Sequence, residues 1–158
     1  MKLRLLCVGR LSASWIRSGV EEYAGRIGRY LPFETIELRE ASGGGSKGDI
    51  RFGREEEGGR ILQRLSPAAF VVILDEKGKA LTTEAWSTFL GERMLYGPDE
   101  VILVIGGAYG LSAAVKARGD LCLSLSKMTF PHQLARLLLL EQMYRALTII
   151  RNEPYHNR

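Results

Sequence analysis

The sequence predicts an α/β fold built on a mainly parallel sheet. Three observations predict it. Short apolar runs alternate with helical patterns along the chain. Two of those runs, within "FVVILDEKG" (Phe70–Gly78) and at Val101–Ile105, are almost unbroken, as strands covered on both faces are. The 158 residues show no internal repeat and no linker, which fits one domain spanning residues 1–158.

The elements follow in order. Leu3, Leu5, Cys7 and Val8 mark a first strand, Lys2–Val8, closed by Gly9. Trp15, Ile16, Val20, Tyr23 and Ile27 recur at helical spacing, with Ser14 placed to cap and Gly28 near the end. Pro32 breaks the pattern, and "FETIEL" (Phe33–Leu38) alternates at period two as a strand with one solvated face. "ASGGGSKGD" (Ala41–Asp49) reads as a flexible surface loop, or as one that orders on a large substrate, because consecutive glycines are costly to fix. A helix with a solvated face covers Ile50–Leu65, and the Phe70–Gly78 run is a central strand. Leu81–Met94 is helical, capped by Thr82 or Thr83, and Gly97-Pro98 turns the chain into the Val101–Ile105 strand. A short helix, Leu111–Arg118, a strand at "LCLSLS" (Leu121–Ser126) and a long helix, Gln133–Arg151, opened by Pro131, complete the series.

Composition narrows the function classes. The net charge of +4 is spread without a Lys/Arg block, so it allows a nucleic-acid partner without demanding one. No stretch reaches the roughly 20 apolar residues of a membrane span, and the opening apolar run is too short for a secretion signal. Cys7 and Cys122 sit in strand-like runs and read as two buried thiols of a reducing cytoplasm, without metal-ligand spacing.

Ligands of open parallel sheets bind beyond the carboxyl ends of the strands. Three such ends stand out: Leu74-Asp75, Gly106-Gly107, and Leu125–Phe130. The GGxxG spacing of "VIGGAYGLS" is neither a phosphate loop nor a dinucleotide fingerprint, and alone it fits a structural turn as well as a ligand turn. The Ser126–Thr129 loop offers backbone N–H and C=O groups beside a thioether, a mixture suited to an adenine edge and a ribose rather than a pyrophosphate. The last helix is apolar around most of its circumference and so is expected to be buried on two sides, one of them against a second subunit. The tail "RNEPYHNR" has no apolar periodicity; it is either frayed or, through Tyr, His and Arg, a nucleotide contact.

"VIGGAYGLS", "LSLSKMTFPHQLARLLLLEQMYRA" and the closing "PYH", supported by "LRLLCVG" and "ILDEKGK", resemble the small SPOUT-class methyltransferases that act on N3 of a pseudouridine in 23S ribosomal RNA. The resemblance covers essentially the whole chain, with departures in the Ala41–Asp49 loop and at Asn157, which separates the histidine from the terminal Arg158. It implies a mainly parallel sheet with helices on both faces, a C-terminal trefoil knot (cofactor site and knot within residues 70–158), a homodimer, and S-adenosylmethionine as cofactor. The residues it implies for the cofactor are Leu74, Gly106, Leu125, Ser126, Lys127, Met128, Thr129 and Phe130, with Gly107 and Pro131 flanking. The glycines then make room for a sulfonium nucleoside that carries no phosphate.

The chemistry so implied is an in-line displacement, dominated by proximity and orientation. The target N3–H must lose its proton, and His156 is the candidate base in the tail, histidine being the side chain that exchanges protons near neutrality. His132, beside Pro131, is expected to be structural or near the cofactor. Arg136, Arg151 and Arg158 are candidates for RNA phosphate contacts and Tyr155 for stacking. No metal is required. The expected partners are ribosomal RNA, most naturally on the assembled ribosome, and a second copy of the chain, in the cytoplasm. The rival readings are a SPOUT enzyme acting on another RNA such as tRNA, and a non-catalytic ribosome-binding module.

Overall fold

The computed structural model describes residues 1–42 and 46–156. Five strands form one parallel sheet: β1 (Lys2–Val8), β2 (Phe33–Leu38), β3 (Phe70–Ala80), β4 (Glu100–Ile105) and β5 (Leu121–Ser124), in the spatial order β2-β1-β4-β3-β5. Five helices connect them: α1 (Ser14–Ile27), α2 (Lys47–Leu62), α3 (Thr83–Tyr96), α4 (Ala113–Arg118) and α5 (His132–Ile150).

The alternation of strand side chains sorts the core into two layers. Leu3, Leu5, Cys7, Val101, Leu103 and Ile105 face α1, α3 and α5. Leu6, Val8, Ile102, Val104, Val71 and Ile73 face the other way, with Ile61 of α2 and Val115 of α4. Burial of the Cys7 thiol in the first layer pushes its pKa up to about 12, so it is an inert packing group.

The structure departs from the sequence reading in several places. The expected 41–49 loop is partly helix: Ser46 caps α2, its Oγ accepting from Asp49 N at 3.1 Å, with Asp49 itself in the positive first turn. Gly43, Gly44 and Gly45 lie outside the described residues. α1 is capped by Ala13 without a side-chain bond, rather than by Ser14. Cys122 is exposed, not buried, because β5 is an edge strand and only Leu123 and Ser124 of it are fully covered.

β3 runs beyond its expected end and arches. Leu74 and Lys79 both pair with Leu123, so the residues between them leave the sheet and return. A side chain at Gly78 would lie 2.7 Å from Cys122 O and Leu123 C, so this return stroke requires glycine.

α5 lies against both α1 and α3. Leu139, Leu140, Met143, Ala146 and Leu147 are buried there. Ser87 Oγ donates to Ala146 O at 3.1 Å and Thr83 Oγ1 to Gln142 Oε1 at 3.0 Å. Its own chain therefore covers most of the circumference that the sequence assigned in part to a second subunit.

Candidate functional site

A cleft of about 860 Å³ opens at the carboxyl ends of β3, β4 and β5. Three segments wall it: the start of the β3 arch, the turn after β4, and the loop from β5 into α5. Each is shaped by local chemistry. In the arch, Asp75 pairs with Lys116 of α4 at 2.5 Å, and its Oδ1 accepts from Lys77 N at 2.9 Å. Burial acts to raise the Asp75 carboxyl, but Lys116 and the Lys77 N–H outweigh it and hold the group below the ordinary carboxylate range.

The turn Gly106–Gly110 closes through Gly110 N to Gly107 O at 3.1 Å, with Gly110 at φ +74°. Arg54 of α2 fixes it from outside, Nε donating to Tyr109 O at 2.8 Å. In the third wall Ser124 Oγ donates to Ser126 O at 2.8 Å and Met128 N to Ser126 Oγ at 3.0 Å. Thr129 Oγ1 donates to the Glu76 carboxylate across the mouth. Met128 is 75% exposed, a large apolar side chain offered to whatever enters.

Of the residues implied for the cofactor, Leu74, Gly106, Leu125, Ser126, Met128, Thr129 and Phe130 line this cleft, as do Gly107 and Pro131. Lys127 is exposed and does not line it. His132 lines it as well, and its Nε2 is buried without a partner among the described residues. Burial, then the nearby Arg136 charge, lower its pKa against a smaller opposing effect of Glu40, so the ring is neutral at physiological pH. Sequence reasoning missed Arg54, Glu76, Lys77, Tyr109 and Lys116. They come from α2, the β3 arch, the turn after β4 and α4, and no local spacing announces them.

Arg136 requires a correction. Expected as a phosphate contact, it is 1% exposed. Nη2 donates to Val8 O at 2.9 Å and Gly9 O at 2.5 Å, and Nη1 to Glu37 Oε1 at 2.9 Å. With Gln133 Oε1 accepting from Ser12 N at 2.8 Å, it fastens the first turns of α5 to the loop after β1. A guanidinium so enclosed presents no exposed donor to RNA.

As far as His156, the tail is docked rather than frayed. The Tyr155 ring packs edge-on against Tyr144 at 4.7 Å, under the Arg145 guanidinium at 4.8 Å, and its hydroxyl donates to Glu141 Oε1 at 3.1 Å. Burial, the Tyr23 hydroxyl and Glu141 together raise its pKa, so it stays a neutral donor. His156 lies between Arg145 Nη1, 3.3 Å from Nδ1, and Glu84 Oε1, 3.3 Å from Nε2. Because guanidinium can only donate, these partners assign the lone pair to Nδ1 and the proton to Nε2. Arg151 is exposed at the end of α5, and Arg158 lies outside the described residues.

With this geometry in place, likeness to known proteins is decisive. A family model described as "Predicted SPOUT methyltransferase" matches residues 1–156. The chain belongs to the SPOUT methyltransferase family. It is 49% identical to the Ribosomal RNA large subunit methyltransferase H of Syntrophotalea carbinolica, across the full length of both chains. It is 45% identical to the protein of that name from Trichlorobacter lovleyi, over 99% of this chain and all of the other. Among solved structures, a Legionella pneumophila protein determined with the bound cofactor SAM superposes with a TM-score of 0.51 at 12% identity, over 90% of this chain and 65% of that one, a likeness of fold.

The cleft of this SPOUT methyltransferase suits a sulfonium nucleoside. Its third wall and glycine turn present main-chain groups, and Leu74, Ile105, Leu111, Leu125 and Phe130 supply apolar surface for a base. Among the described residues no group of three His, Cys, Asp or Glu side chains is placed to hold a metal.

Proposed function

We propose that the protein transfers a methyl group from S-adenosylmethionine to N3 of a pseudouridine in 23S ribosomal RNA, on the assembled ribosome in the cytoplasm, as a homodimer with a knotted C-terminal segment. The observation that carries this reading is the full-length 49% identity to a ribosomal RNA large subunit methyltransferase H, in a chain whose cleft gathers nearly all the residues implied for the cofactor. The absence of any helix long and apolar enough to cross a membrane, among the described residues, is consistent with it. In support of the knot, β5 is the sheet edge beside β3, yet the next helix starts against the loop after β1, two strands further on, where Gln133 and Arg136 hold it.

When bound, S-adenosylmethionine supplies a methyl already activated by a positive sulfur. The chain's residues hold, orient and exclude water. The glycine turn and the 125–130 loop fix the cofactor through main-chain groups and apolar contact, leaving the mouth near Met128 open to the target base. Proton removal falls to the tail in this reading. His156 holds its lone pair on Arg145, so it must release Arg145 before Nδ1 accepts a proton.

As placed here, that tail lies far from the cleft of its own chain. His132 lines the cleft, and the rise of α5 places Arg145, the partner of His156, about 20 Å further along. A second copy of the chain, laid against α1 and α5, would bring its own tail to the cleft.

The test is methyl transfer to ribosomes from cells lacking the enzyme, with free ribosomal RNA and tRNA in parallel, and mass mapping of the product. Methylation at N3 of one large-subunit pseudouridine in ribosomes is the expected outcome. Transfer only to tRNA, or none to any RNA, would refute the assignment.

A further inference from the structure

We infer that Glu57 is a positioning residue of the cleft: from behind the Gly106–Gly110 turn, its buried carboxylate is the counter-charge for a cationic cofactor. The inference rests on the S-adenosylmethionine reading above.

Glu57 is 2% exposed and is the one fully buried acid among the described residues. Oε1 accepts from Ala41 N at 2.9 Å; Oε2 is buried without a hydrogen-bond partner among the described residues, and the carboxylate is in no ion pair there. Two glycines of α2 set its position. A side chain at Gly58 would collide with Ser112 Oγ, and one at Gly53 would stand 3.1 Å from the Tyr109 ring, so the helix rests directly on the turn. On the turn's inner side, a Cβ at Gly107 would be 3.3 Å from Glu57 Oε2. Gly107 itself lines the cleft, so the backbone of the turn separates this orphaned oxygen from the ligand space.

An ionised carboxylate so enclosed is costly unless a cation compensates it. Burial raises its pKa; the Ala41 N–H opposes this, Glu40 from the segment after β2 adds to it, and on its own helix Arg60 lowers while Glu56 raises. None of these is a contact ion pair. The cleft wall leaves a matching imbalance. Arg54, Lys77 and Lys116 stand against Asp75 and Glu76, one positive charge in excess. A ligand with a sulfonium, an ammonium and one carboxylate is itself a net cation, which that wall opposes. Glu57 cancels that excess, so the cation meets a neutral cleft instead of a positive one. After transfer the sulfur is a neutral thioether, so the same carboxylate favours the methyl donor over the spent product, S-adenosylhomocysteine.

Titration calorimetry of S-adenosylmethionine and S-adenosylhomocysteine against wild-type protein and Glu57→Gln tests this, with the melting temperature of each unliganded protein. Glutamine keeps the shape and the acceptor for Ala41 N. We expect the methyl donor to bind about tenfold more weakly to Glu57→Gln and the product to change less than about twofold. The unliganded variant should melt no lower than wild type, since an uncompensated charge is gone. Equal weakening of both ligands, no change in either, or a variant that fails to fold would each overturn the inference. A wild-type protein that binds neither ligand would instead sink the cofactor reading on which it rests.

Discussion

Replacing Arg136 by alanine separates a structural clasp from an RNA contact. The substitution removes three hydrogen bonds made by a side chain that is 1% exposed. The Val8 and Gly9 carbonyls lose their guanidinium donor, at about 1–3 kcal/mol each. The lost packing of the stem adds about 1 kcal/mol. Glu37 is over a third exposed, so the broken ion pair adds under about 1 kcal/mol. Relief from the desolvated guanidinium offsets part of the sum. The net expectation is about 3 kcal/mol, a fall of roughly 6–12 °C in melting temperature for a chain of this length. Calorimetry reads the stability, and a salt titration of RNA binding reads the charge contact. A variant that melts within about 2 °C of wild type, while its RNA affinity loses about one unit of salt slope, would refute the clasp and restore the phosphate role.

Two further perturbations probe the walls of the cleft. Gly78→Ala sets a methyl 2.7 Å from the β5 backbone, where neither neighbour is a movable side-chain tip. It should cost about 1–3 kcal/mol and displace the arch that carries Asp75 and Glu76, weakening S-adenosylmethionine binding in calorimetry; unchanged stability and affinity would show that the arch is not fixed by its closeness to β5. His132 should make stability depend on pH. Its folded pKa is lowered by burial and by Arg136, so the unfolded chain binds the proton more readily. The stability it contributes is complete above the ordinary histidine value of about 6.5 and is lost as pH falls below it. Melting curves across that range should be steeper for wild type than for His132→Gln, and identical slopes would dismiss the effect.

Much of the fold was legible because parallel strands announce themselves. The apolar runs that became β1, β3 and β4 are buried from both sides, and no helix of that length would need such unbroken apolarity. The cap of α3, Thr82, likewise acts through a local hydrogen bond to Ala85 N. What depends on distant partners was not legible. Nothing near Arg136 in sequence shows that two carbonyls of β1 and its loop will surround it. The arch of β3 arises from a register jump against β5, which no period in "DEKGKA" encodes. Cys122 differs from Cys7 only because its strand is at the edge. The cleft's main-chain wall could be located from its glycines and its loop, but the charges from α2 and α4 around it could not.

The separation of tail and cleft yields the sharpest test of the proposed homodimer. Tyr23, Tyr144 and Arg145 dock Tyr155 well away from the cleft of the same protomer. Truncation after Pro154 should therefore leave S-adenosylmethionine binding intact and abolish methylation. A second variant, Leu125→Arg, places a charge in the apolar wall of the cleft and should fail to bind the cofactor while keeping its tail. Each is inactive alone. If the partner's tail completes each cleft, random pairing in co-expressed material gives half mixed dimers, each with one sound cleft facing one sound tail, and about a quarter of wild-type activity returns. If each tail serves its own cleft, no pairing of these variants makes a complete site. Activity that stays at the level of the separate variants, in material shown by sedimentation to contain mixed dimers, would exclude a shared site and require the tail to swing about 20 Å along its own helix to act.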